Sequence, residues 1–136
     1  MLPARTYSIS IDRNWRELYE AIWRPEVFPK WASGLTESDL RRGGTGWIAD
    51  GPDGPITVHF TPHNEHGVMD HAVETGDGQR IHIPLRVIQN GDGAEVMITL
   101  FRQPDMTDET FARDAKWIAR DLRALRDYAK VQGGQR

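Results

Sequence analysis

The chain has 136 residues, no cysteine and a formal net charge of −3 at pH 7. This length suits one domain with its own core, and the absence of cysteine excludes disulfides and thiolate chemistry. The negative charge argues against a nucleic-acid partner, which needs a basic face. No stretch approaches the roughly 20 apolar residues of a membrane span, and residues 1–7 lack the apolar core of a secretory signal. We therefore expect a cytoplasmic protein without membrane insertion.

The first third of the chain predicts one strand followed by two short helices. Tyr7, Ile9 and Ile11 alternate with serines, which is the period of a half-buried strand. Asp12 or Asn14 can cap the next helix. Its apolar face would consist of Trp15, Leu18, Tyr19, Ile22 and Trp23. Pro25 ends this helix or begins a second helical turn. Residues 35–42 are so polar that, if they form a strand, it can lie only at the edge of a sheet.

Residues 47–101 predict an antiparallel meander. Turns that contain glycine, at 51–54, 62–67, 76–78 and 90–93, separate five apolar segments at hairpin spacing. The turn lengths pair Leu85 with Ile98 and place five residues in one central row on the buried face. That row is Trp47, Val58, His71, Ile83 and Leu100. His71 is its one polar member.

Residues 107–130 predict a long amphipathic helix. The apolar stripe recurs at intervals of three and four and contains Phe111, Ala115, Ile118, Leu122, Leu125 and Ala129. A helix of this size is about 36 Å long, so it must lie obliquely along a curved sheet. A sheet that wraps around one helix leaves space between them. We expect one domain over residues 1–132 and a flexible tail over residues 133–136.

The order of elements resembles the helix-grip fold of the START and birch-pollen-allergen-like superfamily, often called SRPBCC, and within it the bacterial polyketide cyclase/dehydrase-like members. The resemblance is carried by residues 7–11 leading into 15–31, then by 67–71, 84–87 and 99–102. It implies an α+β fold in which a curved antiparallel sheet of about six to seven strands wraps around the C-terminal helix. It also implies a cavity for an apolar or amphipathic small molecule, and it carries over no catalytic residue.

The predicted cavity lining combines the inward row of the sheet with aromatic side chains and the helix stripe. Phe28 and Trp31 are expected either to pack in the core or to line a portal that contacts a flat ligand. His71 is the main candidate, either as a structural histidine, as a ligand contact, or as a general acid/base if the protein is an enzyme. The expected ligand-binding residues are Phe28, Trp31, Trp47, Val58, Phe60, Met69, His71, Ile83, Leu85, Ile118 and Leu122.

The sequence does not favour a metal or a cofactor. His59 falls on the outer face of the predicted sheet and His71 on the inner face, so one ion cannot meet both. The segment 42–46 is rich in glycine but lacks the Gly-Lys-Ser/Thr ending of a phosphate-binding loop, which favours a turn at the cavity mouth. We expect no metal site and no cofactor.

Three functions fit these features. The first is a binding or carrier protein for an apolar small molecule, which needs only a lined cavity and one or two polar anchors. The second is a cyclase or dehydratase-type enzyme that uses His71, and the third is a protein-interaction module whose cavity is too small for a ligand. Ile88, Met97 and Phe101 form an apolar group on the exterior of the sheet, where a second copy of the chain could associate as a homodimer.

Overall fold

The computed structural model describes residues 1–32, 40–44, 46–51 and 54–133. Over these residues it contains eight strands and two α-helices. The strands are β1 (Ala4–Ile11), β2 (Arg41–Gly43), β3 (Gly46–Gly51), β4 (Gly54–Phe60), β5 (His71–Thr75), β6 (Arg80–Ile83), β7 (Leu85–Asn90) and β8 (Gly93–Phe101). The helices are α1 (Trp15–Ile22) and α2 (Asp108–Gly133), with a 3₁₀ helix at Pro25–Lys30.

The strands form two antiparallel sheets, in the orders β1-β8-β7 and β2-β3-β4-β5-β6. The sheets separate at Pro84, which stands between β6 and β7 and has no backbone N–H for a ladder. They remain connected through an isolated bridge between Val68 and Arg86 and through the N–H of Thr99, which donates to the Pro84 carbonyl at 3.0 Å. The expected α+β fold with a curved sheet and a long C-terminal helix is confirmed, with eight strands in two sheets in place of six to seven in one.

Most of the predicted strand pairing is observed. Trp47 pairs with Val58, His71 with Ile83, and Leu85 with Ile98. The predicted register between β4 and β5 is wrong by two residues, because His71 lies opposite Phe60, not Val58. A shift of two keeps every side chain on its predicted face, since strand side chains alternate with period two.

Local signals account for both helix starts. The side chain of Asn14 caps α1 by accepting from the N–H groups of Arg16 and Glu17 at 3.0 and 3.2 Å. Thr107 precedes α2, and its hydroxyl accepts from the N–H of Thr110 at 3.1 Å. At its other end α2 continues to Gly133, which was expected to begin the flexible tail.

The main core lies where α1 and the second half of α2 cover β1, β7 and β8. Its fully buried side chains include Leu18, Ile22, Leu85, Val87, Val96 and Leu125. Because α2 packs mainly on β1, β8 and α1, strands β4–β6 are left facing a gap. Strand β2 lies at a sheet edge, as expected, although residues 35–39 of the predicted strand 35–42 are outside the described residues. None of the described helices is long and apolar enough to cross a membrane.

Candidate functional site

The gap between the second sheet and α2 is a cavity of about 680 Å³. Strands β4, β5 and β6 form one wall, and the first half of α2 forms the opposite wall. Phe28 of the 3₁₀ helix and Trp31, directly after that helix, close one end, and the end of β8 contributes Ile98 to Phe101. The exposed residues Gly76 and Asp77, in the turn between β5 and β6, lie at the solvent side.

Four aromatic rings meet at the closed end of the cavity. Phe28 is at the centre, with ring centroids 4.6 Å from Phe60, 5.3 Å from Trp31 and 5.3 Å from His71. The rings of Phe28 and His71 are nearly perpendicular at 81°, which is the edge-to-face arrangement that aromatic pairs favour. Phe28 and Trp31 are almost completely buried. This end of the cavity is therefore a rigid aromatic wall.

His71 is the polar member of this aromatic end. Its Nδ1 lies 3.2 Å from the carbonyl oxygen of Met69. A carbonyl can only accept, so Nδ1 carries the proton and donates. Burial, which disfavours the charged ring, is the main cause that lowers the pKa of His71 to about 4, while the bond to Met69 and the charge of Asp70 act in the opposite direction. At neutral pH the ring is therefore uncharged.

The wall formed by α2 is more polar. Asp114, Trp117 and Asp121 follow one another at helical spacing along the cavity, with Arg113 beside them. The guanidinium of Arg113 bonds the carboxylate of Asp114 at 3.2 Å and stacks on Trp117, 4.6 Å from the ring centroid. The cavity thus has an aromatic, uncharged end at His71 and a charged side on α2.

The structure brings together seven of the residues that the sequence predicted for the cavity. Phe28, Trp31, Val58, Phe60, His71, Ile83 and Ile118 all line it. The same inward face of β4–β6 also contributes Ile56, Val73 and Ile81 to the cavity, as the observed strand register requires.

The other four predicted lining residues lie elsewhere. Met69 and Leu85 are buried in the core, joined by a backbone hydrogen bond, and Leu85 begins β7, on which α1 packs. Leu122 is also buried in the core, one turn beyond Ile118. Trp47 lines a second, smaller pocket, with the guanidinium of Arg42 5.5 Å from its ring centroid. Periodicity placed three of them on the inner face of the sheet and Leu122 on the apolar stripe of α2. It could not say where each helix crosses the sheet.

From α2 the sequence predicted only Ile118 and Leu122 as cavity residues, and it missed Arg113, Trp117 and Asp121. The available signal was their spacing: Asp114, Trp117 and Asp121 recur at intervals of three and four, immediately beside the apolar stripe. The glycines of segment 42–46 that the structure describes line the second pocket, not the mouth of the main cavity, and Thr45 is outside the described residues.

Neither pocket shows a metal-ligand cluster among the described residues, because nowhere in them do three His, Asp or Glu side chains converge. His59 lies on the opposite face of the sheet from His71, and its Nε2 is 3.7 Å from the Glu74 carboxylate, too far for a hydrogen bond. The indole Nε1 of Trp31 is buried and has no hydrogen-bond partner within the described part of the chain.

The comparisons with known proteins identify the fold. No family model matches this sequence, and neither does any curated protein. Solved structures match it over nearly its whole length. An uncharacterised protein from Bacillus thuringiensis superposes with a TM-score of 0.72 at 17% identity, covering 93% of this chain and 98% of that one.

Two further structures extend the comparison. A START superfamily protein from Mycobacterium smegmatis gives a TM-score of 0.68 at 10% identity, covering 95% and 98% of the two chains. The protein Ara h 8.0201 gives a TM-score of 0.65 at 11% identity, covering 94% and 97% of the two chains. The chain has the helix-grip fold. The predicted resemblance to START and birch-pollen-allergen-like proteins is thus confirmed at the level of the fold.

Proposed function

We propose that this helix-grip protein binds or carries an apolar or amphipathic small molecule in the cavity between strands β4–β6 and α2. The observation that carries the proposal is the volume of that cavity, about 680 Å³. Ligand pockets usually measure about 300–1,000 Å³. A domain of this size does not leave such a gap in its core without cost, because unfilled apolar walls lose packing contacts.

The distribution of side chains supports an amphipathic ligand. Phe28, Phe60 and Trp31 offer aromatic surface at the closed end, and the aliphatic row on β4–β6 continues it. Arg113 and Asp114 lie on the opposite wall and can meet a polar group. A molecule with an apolar body and a polar substituent would match both walls.

The same features favour binding over catalysis. A general base works best when its pKa lies near the working pH, whereas burial lowers the pKa of His71 to about 4. The rings in contact with His71 are those of Phe28 and Phe60, which cannot exchange protons. The cavity volume likewise favours a small-molecule ligand over a pure protein-interaction module, for which a cavity this large has no use.

Native mass spectrometry of the freshly purified protein would test the proposal directly, because a co-purified small molecule reveals its mass. A second test uses the dye 1-anilinonaphthalene-8-sulfonate as an amphipathic probe. Val73→Trp would fill the cavity, because Val73 lines it between Val58 and Ile81. Ile88→Trp is the matched control, since Ile88 is 43% exposed on the outer side of β7.

We expect Val73→Trp to weaken dye binding by about tenfold or more and to remove any co-purified molecule, because the added indole occupies the cavity. Ile88→Trp should leave both unchanged. Equal dye binding by wild type and Val73→Trp, with no co-purified molecule in either, would argue that the cavity is not a binding site.

A further inference from the structure

The tautomer of His71 determines which hydrogen bond it can offer to a ligand. Its Nδ1–H is committed to the carbonyl oxygen of Met69 at 3.2 Å. A neutral imidazole has one N–H and one lone pair, so Nε2 is left as an acceptor. Because the two nitrogens lie on different sides of the ring, Nε2 points away from Met69.

Nε2 of His71 is accessible from the cavity. His71 lies between Phe60 and Ile83 in the strand pairing, and all three residues line the cavity. The residues with buried, unpartnered side-chain nitrogens, over the described ranges, are Arg13, Trp31 and His59. Nε2 of His71 is not one of these buried atoms, and no described side chain bonds it. It is therefore an acceptor that a bound molecule can reach.

The surroundings of Nε2 restrict the chemistry of the group that meets it. Phe28 and Phe60 lie 5.3 and 5.9 Å from the imidazole, centroid to centroid, and favour an aromatic ring as neighbour. A carboxylate at this end would face the Nε2 lone pair without a cation, because the one cavity arginine, among the described residues, is Arg113 on α2. A carbonyl oxygen would place acceptor against acceptor. A donor is left, and among these apolar rings a neutral donor costs much less to desolvate than a cation.

We propose that the buried end of the ligand is an aromatic ring bearing a neutral hydrogen-bond donor, a hydroxyl or a ring N–H, that donates to Nε2 of His71. This inference rests on the proposed binding function and names the class of molecule that the same cavity selects. His71 is then the residue that discriminates between a donor and its methylated analogue.

Paired probes test the proposal on the intact protein. Isothermal titration calorimetry compares 2-naphthol with 2-methoxynaphthalene, and indole with 1-methylindole, in wild type and in His71→Phe. We expect one or both donor probes to bind wild type about two- to tenfold more tightly than their methylated partners, which is the usual net value of one hydrogen bond. The steric effect of the methyl group persists in His71→Phe, so the change in preference between the two proteins isolates the hydrogen bond.

The two probe pairs distinguish the two donors. A His71-dependent preference in the naphthalene pair indicates a hydroxyl donor, and a His71-dependent preference in the indole pair indicates a ring N–H donor. Binding of all four probes without a donor preference, or a preference that persists in His71→Phe, overturns this inference and leaves the binding function intact. Failure of every probe to bind, together with unchanged dye binding by Val73→Trp, counts against the proposed function itself.

Two further measurements keep the test independent of the folding of His71→Phe. His71→Gln places an amide oxygen near the position of Nε2, so it should retain part of the donor preference. In wild type, long-range ¹H–¹⁵N spectra should show the Nε2 resonance of His71 moving on addition of the donor probe and staying in place with its methylated partner. An Nε2 resonance that responds equally to both overturns the proposal.

Discussion

Asp70 and Arg86 form a bidentate ion pair at the point where the two sheets separate. Oδ1 of Asp70 accepts from Nε of Arg86 at 3.0 Å, and Oδ2 accepts from Nη2 at 2.8 Å. The same Oδ1 accepts from the backbone N–H of Leu85 at 2.8 Å, directly after Pro84. One carboxylate therefore fixes the start of β7 to the residue that precedes β5, and it holds the two sheets in register beside His71.

Asp70→Ala should lower the free energy of unfolding by about 2 kcal/mol, because the N–H of Leu85 loses its partner and Arg86 loses its counter-charge. Urea denaturation measures this change. Glu65→Ala, an exposed acidic site in the same connection, is the control and should change stability by less than about 0.5 kcal/mol. Equal losses in both variants would mean that the effect is one of net charge.

The Asp70 contribution should also depend on pH. Burial disfavours the ionised form of Asp70, but the hydrogen bonds from Arg86 and Leu85 outweigh burial and lower the pKa of the carboxyl. A lowered pKa means that the stabilisation is present above the unfolded pKa of about 3.8 and is lost as pH falls through the folded value. The stability difference between wild type and Asp70→Ala should therefore shrink under strongly acidic conditions.

His71 should reduce stability as the solution becomes mildly acidic. Burial lowers its pKa from 6.5 to about 4 in the folded protein. Between these two values the unfolded chain binds a proton that the folded chain does not, so stability falls as pH decreases from about 6.5 to about 4. Replacement of His71 by phenylalanine, which cannot titrate, should flatten the pH dependence over this interval.

Urea denaturation at pH 7 and pH 5 measures the effect of His71, and His66→Phe is the matched control at an exposed histidine. The control should retain the pH dependence of wild type. If His71→Phe kept the full acid sensitivity, the imidazole would have to titrate alike in the folded and unfolded chains.

Gly67 is required by both its conformation and its surroundings. Its φ is +71°, and a Cβ built there would collide with the carbonyl oxygen of Val87. Gly91 has a similar φ of +57° but has open space around it. Gly91→Ala should therefore cost about 1 kcal/mol from backbone strain alone, and Gly67→Ala should cost roughly 3 kcal/mol or more. Thermal unfolding of the two variants checks this, and similar losses would mean that Val87 moves aside freely.

Turn chemistry made most of the sheet predictable from the sequence. The glycine-rich turns at 76–78 and 90–93 fix the pairing of their flanking strands by length alone, and the observed pairs His71–Ile83 and Leu85–Ile98 agree with it. The β4–β5 pairing was misjudged because the connection is ten residues long, from Thr61 to Asp70, and not a short turn within 62–67. This connection is held by local bonds of the Asn64 side chain and by one tertiary bond to α1.

Asn64 is the residue that holds this connection. Its Oδ1 accepts from the N–H groups of His66 and Val68 at 2.9 and 3.2 Å, and its Nδ2 donates to the carbonyls of Pro62 and Val68 at 3.0 and 2.9 Å. Its own N–H donates to the hydroxyl of Tyr19 on α1 at 2.9 Å. The contact with α1 is tertiary, so spacing within residues 61–70 could not reveal it.

The candidate site was predictable only as a face of the sheet. Alternation identified Val58, His71 and Ile83 as inward-facing, and the structure places all three on the cavity wall. Met69 and Leu85 share the same alternation but are buried in the core, where α1 packs on β7. Which inward residues border a void depends on where each helix crosses the sheet, and that depends on packing between distant parts of the chain.

The neighbouring positions Ile118 and Leu122 offer a direct test of where the core ends and the cavity begins. Leu122 is only 3% exposed within the core, and Ile118 lines the cavity one helical turn earlier. Leu122→Ala leaves a new void among packed atoms and should cost about 2–5 kcal/mol. Ile118 already borders unfilled space, so Ile118→Ala should cost only about 1 kcal/mol, because fewer packing contacts are lost.

Ligand binding should reverse this order. In conditions where both variants are folded, Ile118→Ala removes apolar surface from the cavity wall and should weaken binding of 1-anilinonaphthalene-8-sulfonate several-fold. Leu122→Ala should leave the dye affinity close to that of wild type. Urea denaturation and dye titration on the same two proteins measure both effects. A larger stability loss at Ile118, or a larger affinity loss at Leu122, would mean that α2 meets the sheet one turn away from the position described here.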